Sequence, residues 1–308
     1  MSLAIVIPYY NIDFFEKTLF SLSYQTNKRF KVYIGNNNSP NTPINLIRKY
    51  GGEFDIVYKE FFNERNPISL SEQFSQCISL ISDEDWFMIL GDDDFLEKDV
   101  ISDFYENLPC INDSNINVVK FSTAVINEHD ELISKIYKFS SIEYSTDLFI
   151  KRLRQQTRSS LSEHIFRTSQ FFKYKIPYYP LAWHSDDMMV LKYTEFSAIY
   201  CICSSIVFIR MSNKNISGQR ILYSEDKKKA SIDFFSEILF KYHNKFKFEE
   251  LELIFGMLLQ ISLSYNNSEN FYKLLNLGKN ILGLKEIEKK LLLMKKYNMN
   301  NCEVSLLM

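Results

Sequence analysis

Four short apolar runs in the first ninety residues limit the fold more than any other feature of the chain. They are residues 3–8 (LAIVIP), 30–35 (FKVYIG), 54–59 (FDIVYK) and 86–90 (WFMIL). Continuous apolar runs of this length suit strands buried on both faces rather than half-exposed ones. Between them lie segments with helical spacing. Phe14, Phe15, Thr18, Leu19 and Leu22 share one helical face, and Leu70, Phe74, Ile78 and Ile81 share another. The second opens at Ser69-Leu70-Ser71-Glu72, a capping-box pattern in which serine and glutamate bind each other's backbone N–H. Strands alternating with helices imply an α/β sheet covered on both faces, and such sheets bind ligands outside the carboxyl ends of their strands. Three of the runs end there in polar clusters: Tyr9-Tyr10-Asn11, Asn36-Asn37-Asn38-Ser39 and Asp92-Asp93-Asp94.

The aspartates carry most of the chemical information. Residues 83–99 hold eight acids and one base, a net charge of −7. A helix dipole accounts for acids such as Glu97 and Asp99 near the start of the next helix. It does not account for three carboxylates abutting a buried strand, which repel one another unless a cation offsets them. Clustered carboxylates are hard oxygen ligands suited to Mg²⁺ or Mn²⁺, and Mg²⁺ completes its shell with substrate phosphates. The cluster therefore suggests a metal–diphosphate site.

Beyond residue 115 the pattern changes. INVVKFS and AVINEHDELIS read as a strand and a hairpin, SLSEHIFR (160–167) as a strand, and AIYCI and IVFIRM as two further strands. SDDMMVLKY reads as a helix with Ser185 as its N-cap. From about 224 onward every segment has helical spacing, with a boundary near 215–223. The expected division is a domain over 1–217 and a helical extension over 218–308.

The order and spacing of AIVIPYYN, KVYIGNNNSP and WFMILGDDDFLEKDVI resemble the start of a family 2 glycosyltransferase of the GT-A fold, the bacterial inverting type. The resemblance continues through SEHIFR, through WHSDDMMVLKY, where the family has a Glu-Asp helix start, and through FIRMSNKNIS. It covers roughly residues 3–217 and implies a mixed, Rossmann-like sheet flanked by helices. It further implies that Pro8, Tyr9 and Tyr10 line the nucleotide base, that Asn36 and Asn37 read its edge, and that Asp92 faces the ribose. Asp93 would be the metal-binding acid, with Mn²⁺ or Mg²⁺ as cofactor, and Asp187 the base that takes the acceptor's proton. Asp94, His184 and Asp186 would stand beside the acceptor or behind the metal-binding acid. Two departures stand out: Gly91 replaces the first acid of the Asp-x-Asp motif, and Ser212 replaces the histidine of Arg-x-His.

The implied reaction moves a sugar from a nucleotide-diphosphate sugar, a UDP-sugar by expectation, to an acceptor hydroxyl on a glycan or lipid-linked chain. The implied role is bacterial surface polysaccharide, lipopolysaccharide or capsule synthesis. A non-catalytic sugar-nucleotide-binding protein and a nucleotidyltransferase are the alternatives. The second lacks support because PYYNIDFF has none of the glycines of a phosphate-binding loop. A net charge of −2 gives no general pull toward nucleic acid. Five cysteines fall in no metal-like or paired spacing, and no apolar run reaches the ~18 residues of a spanning helix. The expected location is cytoplasmic. Lys151, Arg152, Arg154 and Arg158 form a basic run, read first as a solvated helix face and second as an anion contact. Residues 284–298 carry five lysines and two glutamates around an apolar stripe. They read as a packed helix, or as a peripheral contact with the inner membrane face.

Overall fold

The computed structural model describes residues 1–61, 68–215, 218–219, 224–264, 278–279 and 281–283. In chain order the elements are β1 (Leu3–Tyr9), α1 (Phe15–Ser23), β2 (Phe30–Asn36), α2 (Ile44–Tyr50), β3 (Asp55–Glu60), α3 (Leu70–Ile78), β4 (Trp86–Ile89), β5 (Phe95–Leu96) and α4 (Val100–Asp113). There follow β6 (Val118–Ile126), β7 (Ile142–Tyr144), α5 (Ser145–Leu153), β8 (His164–Arg167), α6 (Thr168–Tyr174), α7 (Ser185–Tyr193), β9 (Ala198–Arg210), α8 (Ser224–Lys241) and α9 (Phe248–Ser264). The chain divides into two compact units. One comprises Met1–Tyr178 and Ser185–Asn215, and the other Tyr179–His184 and the chain from Ile216.

The first unit is built on a mixed sheet of nine described strands in the order β3-β2-β1-β4-β8-β6-β9-β5, with β7 on the far side of β9. The four apolar runs become β1 to β4, and β3, β2, β1 and β4 pair in parallel. Their carboxyl ends consequently share one edge, which is where the polar clusters fall. β8 runs antiparallel to both β4 and β6, so the sheet is mixed, as the resemblance implies. Two apolar layers flank it. One, including Phe15, Leu19, Trp86, Phe104 and Ile111, packs α1 and α4 against one face. The other, including Phe87, Phe166, Phe171, Met189 and Tyr193, packs α6 and α7 against the opposite face. The capping box at Ser69 forms as the sequence predicts, with Ser69 Oγ accepting from Glu72 N and Glu72 Oε2 accepting from Ser69 N at 2.9 Å. Gly35 lets α3 approach β2 closely, since a Cβ there would lie 2.3 Å from Cys77 Sγ.

Several sequence expectations need correction. AIYCI and IVFIRM are one strand, β9, because the chain stays extended through a bulge. Phe121 pairs with Ile202 but Ser122 pairs with Ile206, so Cys203, Ser204 and Ser205 bulge out without ending the strand. SLSEHIFR is a strand only from His164, because Ser160 turns back to bind Glu163 through its backbone N–H at 2.8 Å and its hydroxyl. Ser185 is the first residue of α7 and not its cap; its hydroxyl donates instead to the Pro177 carbonyl at 2.8 Å.

The second unit, taken by itself, contains α8 and α9, and Phe234, Phe235, Ile238, Ile254, Phe255 and Leu258 are buried within it. Among the described residues no helix is long and apolar enough to cross a membrane. The amphipathic stripe read at 284–298 lies outside the described residues.

Candidate active site

Three loops leave the carboxyl edge of β2, β1 and β4, and hydrogen bonds lash them together. Asp92 Oδ2 accepts the backbone N–H groups of Tyr10 and Asn11, both at 2.7 Å. Ser39 Oγ, after β2, donates to the Tyr10 carbonyl at 2.5 Å. Asn36 Oδ1 accepts from Ser39 N at 2.9 Å and its amide donates to Tyr58 Oη at 3.0 Å. Asn36 therefore shapes the loop, and Asn37 is the half-buried neighbour on its rim. Pro8 is half-buried at the end of β1. Tyr10 is exposed, so its ring is available for stacking, whereas Tyr9 is not. The Tyr9 ring is fully buried against Phe15, and its hydroxyl donates to the Asn41 carbonyl at 2.8 Å. The expectation that Tyr9 lines the base is corrected on that ground: alternation along β1 turns it into the core.

The three aspartates have three different situations. Asp92 anchors the loop after β1. Asp94 is buried, with Oδ2 accepting from Ser162 Oγ at 2.5 Å and Oδ1 from Arg210 N at 2.8 Å. Asp93 is half-buried, and Asn215 Nδ2 donates to its Oδ2 at 3.1 Å. Arg210, at the end of β9, clamps the cluster from behind. Its Nε donates to the Asp93 carbonyl at 3.0 Å, Nη1 to the Asn127 carbonyl at 2.7 Å, and Nη2 to Asp130 at 2.5 Å. Burial, reinforced by the Asp93 charge, pushes the Asp92 carboxyl up to about 7 and that of Asp94 up to about 8. Burial also raises Asp93. Gly91 is part of this packing. A Cβ at 91 would lie 2.9 Å from Asp94 Oδ2 and 3.0 Å from Asp93 Oδ1, so the space that relatives give to a first acid is closed here by the neighbouring carboxylates.

The fit of a divalent cation follows from those commitments. Among the described residues no group of three or more His, Cys, Asp or Glu side chains is arranged to hold a metal. Asp94 has both oxygens engaged, and Asp92 has one bound to two N–H groups. The Asp93 carboxylate lies against Gly91, with the Asn215 amide donating to its Oδ2. One carboxylate does not make a closed site, but it fits an ion that draws its remaining ligands from diphosphate and water.

A second acidic position lies on α7. Asp187 is buried and pairs with Arg152 Nη1 from the last turn of α5. Asp186 is half-buried, and burial together with the Asp187 charge raises its carboxyl to about 7. Behind this pair stands a buried charge cluster that sequence reasoning missed. Glu163, fully buried, accepts from Lys120 Nζ at 3.0 Å, and Arg158 Nη1 lies 3.6 Å from it. Burial alone would raise the Glu163 carboxyl, but Lys120 and Arg158 outweigh that and hold it well below the usual range. Burial and the Lys120 charge push the buried His164 down to about 3, so its ring is neutral. Asp187, Arg152, Arg158, Lys120 and His164 line one cavity of ≈ 20 Å³. Two members of the basic run thus point inward at carboxylates, contrary to the solvated-face reading, while Lys151 pairs with Glu143 at 2.7 Å. One clue was in the sequence: Lys120 interrupts the otherwise apolar run VVKF, where a charge needs a buried partner.

The loop 160–163 joins the two acidic positions. Ser162 accepts from Gly91 N at 3.0 Å and donates to Asp94, and the next residue is Glu163 of the buried cluster. His184 precedes the acidic pair in sequence. It belongs to the second unit, where its ring stacks on Phe234 with centroids 4.5 Å apart and Nε2 meets Ser231 Oγ at 2.9 Å. These contacts give His184 a place in the packing of that unit.

A mixed sheet with polar loops gathered at the carboxyl ends of β2, β1 and β4, and a buried carboxylate at the start of a later helix, is the arrangement of the GT-A fold. Residues 4–175, more than half of the chain, match the family described as Glycosyl transferase family 2. The chain belongs to that family and is a glycosyltransferase. None of the curated proteins compared by sequence matches it. Among solved structures it is similar to Staphylococcus aureus TarS 1-349 in complex with UDP-GlcNAc, at 14% identity and a TM-score of 0.64, over 94% of this chain and 84% of that one. A longer TarS chain gives 16% identity and a TM-score of 0.59 over 88% of this chain and 45% of that one. TarS 1-349 in complex with UDP gives 14% identity and a TM-score of 0.56 over 98% and 92%. At these identities the likeness is one of fold.

Proposed function

We propose that the protein transfers a sugar from a UDP-sugar to a hydroxyl of a glycan or lipid-linked acceptor, with inversion at the anomeric carbon. The observation that carries this reading is the division of labour at the β4 end. Asp92 and Asp94 are committed to the fold, and Asp93 is left at the edge where the three nucleotide-facing loops meet. The solved structures of TarS with UDP and with UDP-GlcNAc support the choice of nucleotide.

In this reading Tyr10 stacks on the uracil and Asn37 reads its edge, offering both a donor and an acceptor. Pro8 sits beneath the base, and the loop fixed by Asp92 carries the ribose. Asp93 would hold Mn²⁺ or Mg²⁺, which supplies charge neutralisation to the departing diphosphate when bound. Asp187 takes the proton from the acceptor hydroxyl as the acceptor oxygen bonds to the anomeric carbon. The bond from that carbon to the β-phosphate oxygen breaks, and UDP leaves with the electron pair. Arg152 fixes the direction of the Asp187 carboxylate. Direct displacement from the opposite face gives inversion. The role in surface polysaccharide, lipopolysaccharide or capsule synthesis, at the inner membrane face, follows from the family resemblance. So does the extent of the transferase domain, 1–217, with 218–308 as its helical extension.

The experiment is an Asp187→Asn variant assayed with a panel of UDP-sugars. UDP affinity should stay within a few-fold of wild type while transfer falls by ~10²–10⁴, the usual contribution of a general base. Near-normal turnover would remove Asp187 from the chemistry and leave it a partner of Arg152 only.

A further inference from the structure

One groove of the first unit is used neither by the nucleotide-facing edge nor by the acidic pair. It encloses ≈ 290 Å³ and is walled by the stretch from Lys135 to Phe139, by Glu143 and Lys151, and by the turn at Thr157. That volume is near the lower end of ligand pockets, ~300 Å³. Its charge is one-sided, with three lysines facing one glutamate. Lys151 is neutralised by Glu143 at 2.7 Å, but among the described residues Lys135 and Lys138 make no ion pair. Tyr137 and Phe139 alternate with those lysines, so the wall offers flat rings and cations in turn. Lys120 Nζ lies 5.1 Å from the centroid of the Phe139 ring and backs it, its own charge being paired with Glu163.

Thr157 gives the groove its position relative to the chemistry. The same residue lines both the groove and the ≈ 20 Å³ cavity that holds Asp187. Its hydroxyl is buried and, among the described residues, has no hydrogen-bond partner. A buried hydroxyl without a partner is costly, which marks a place where a bound polar group would be welcome. A neutral ligand would leave both lysines as they are, whereas an anionic one gains from each.

We propose that this groove is the acceptor subsite and that it takes an acidic glycan, one bearing carboxylate or phosphate groups, whose reacting hydroxyl passes Thr157 to reach Asp187. This rests on the transferase reading for the word acceptor; the preference of the groove for an acidic glycan stands apart from it. Rings against sugar faces and lysines against acid groups are the recognition chemistry, and the reaction itself is the displacement already described.

The test uses the full chain and defined probes. Tri-galacturonate carries carboxylates, a short glycerol phosphate oligomer carries phosphates, and maltotriose carries neither. Binding is measured by calorimetry at low and high salt for wild type and for a Lys135→Gln/Lys138→Gln double variant. Wild type should bind at least one acidic probe more tightly than maltotriose, less so at high salt. The double variant should lose about fivefold or more, as expected for two exposed charge contacts. The arm that binds better distinguishes carboxylate from phosphate. A control variant with Lys98→Gln and Lys241→Gln, two exposed lysines elsewhere, should lose nothing. Equal binding of acidic and neutral probes, or an equal loss in the control variant, would overturn the proposal. A parallel UDP titration separates the two readings. Unchanged UDP affinity in the groove variant is expected, and a wild type that fails to bind UDP would sink the transferase reading while leaving the groove result intact.

Discussion

Replacing Glu163 by glutamine tests the buried charge cluster directly. Glu163 is fully buried, and its carboxylate is the anion nearest to Lys120, itself only 2% exposed. Glutamine keeps the shape and can still accept from Ser160 N through its oxygen, but its NH2 group meets Ser160 Oγ as a donor and the charge is gone. Removing one member of a buried pair typically costs ~3–5 kcal/mol, because the other charge is left uncompensated. Here the lower end is expected, since Lys120 keeps its contact with His164 Nε2 at 3.3 Å and Arg158 keeps its bond to Thr123 Oγ1 at 3.0 Å. A loss of about 3 kcal/mol is a large share of an ordinary domain's stability of roughly 5–15 kcal/mol. The opposite single change, Lys120→Met, should cost less, about 1–2 kcal/mol, because Glu163 still faces Arg158 at 3.6 Å and keeps its Ser160 bonds. The double variant should fall short of the sum of the singles by about 2 kcal/mol, the coupling of the pair. Urea unfolding followed by fluorescence reports on the first unit through Trp86, which is buried in its core, and a companion with Trp183→Phe removes the signal of the second unit. A Glu163→Gln loss below 1 kcal/mol, or strictly additive singles, would show that water screens the cluster and that its burial does not govern its energetics.

Three further outcomes are expected. Asp93→Asn should leave the fold intact and abolish any Mn²⁺-dependent gain in UDP affinity; calorimetry with and without Mn²⁺ checks it, and equal metal-independent affinities for variant and wild type would refute the role of Asp93. Gly91→Ala should destabilise by about 1–2 kcal/mol in thermal unfolding, because the new Cβ meets Asp94, which Ser162 and Arg210 hold in place. His164 makes a pH prediction. Its folded value is about 3 and the unfolded value about 6.5, so between them the unfolded chain binds the extra proton and stability is lost as pH falls. The stability of wild type minus that of His164→Asn should therefore shrink on acidification from about pH 6.5 toward 3, and a difference independent of pH would mean that His164 is hydrated.

The strands around the donor edge were legible because burial on both faces leaves a plain signature, an uninterrupted apolar run. The same holds for the capping box at Ser69, whose two partners are local in sequence. What the sequence hid was set by partners far away. Tyr9 and Tyr10 are adjacent and chemically alike, and only the pleat of β1 decides that one ring enters the core and the other faces outward. Arg152 looked like part of a solvated basic run because Asp187, which turns it inward, lies 35 residues later. The bulge at Cys203–Ser205 resembled a gap between two strands, since it breaks the apolar pattern while the backbone continues. His184 read as a residue beside the acceptor from its place two residues before Asp186, and its ring stacks on Phe234 of α8. Gly91 read as a missing ligand, and its packing shows two carboxylates occupying the space.

Arg210 lies 116 positions after Asp94, yet its backbone and side chain complete the setting of the acidic cluster. During synthesis the three aspartates leave the ribosome long before the residue that holds them. At ~5–20 residues per second the interval is on the order of ten seconds. Until β9 is laid against β6, the acids are a repelling trio on a solvated loop, and a nascent chain can acquire the strands of the nucleotide edge without acquiring the site. Nucleotide binding should then switch on late and abruptly along a series of C-terminally lengthened chains, at the length that frees residue 210 to join the sheet. Competence would track the arrival of one arginine more closely than the amount of folded structure already present.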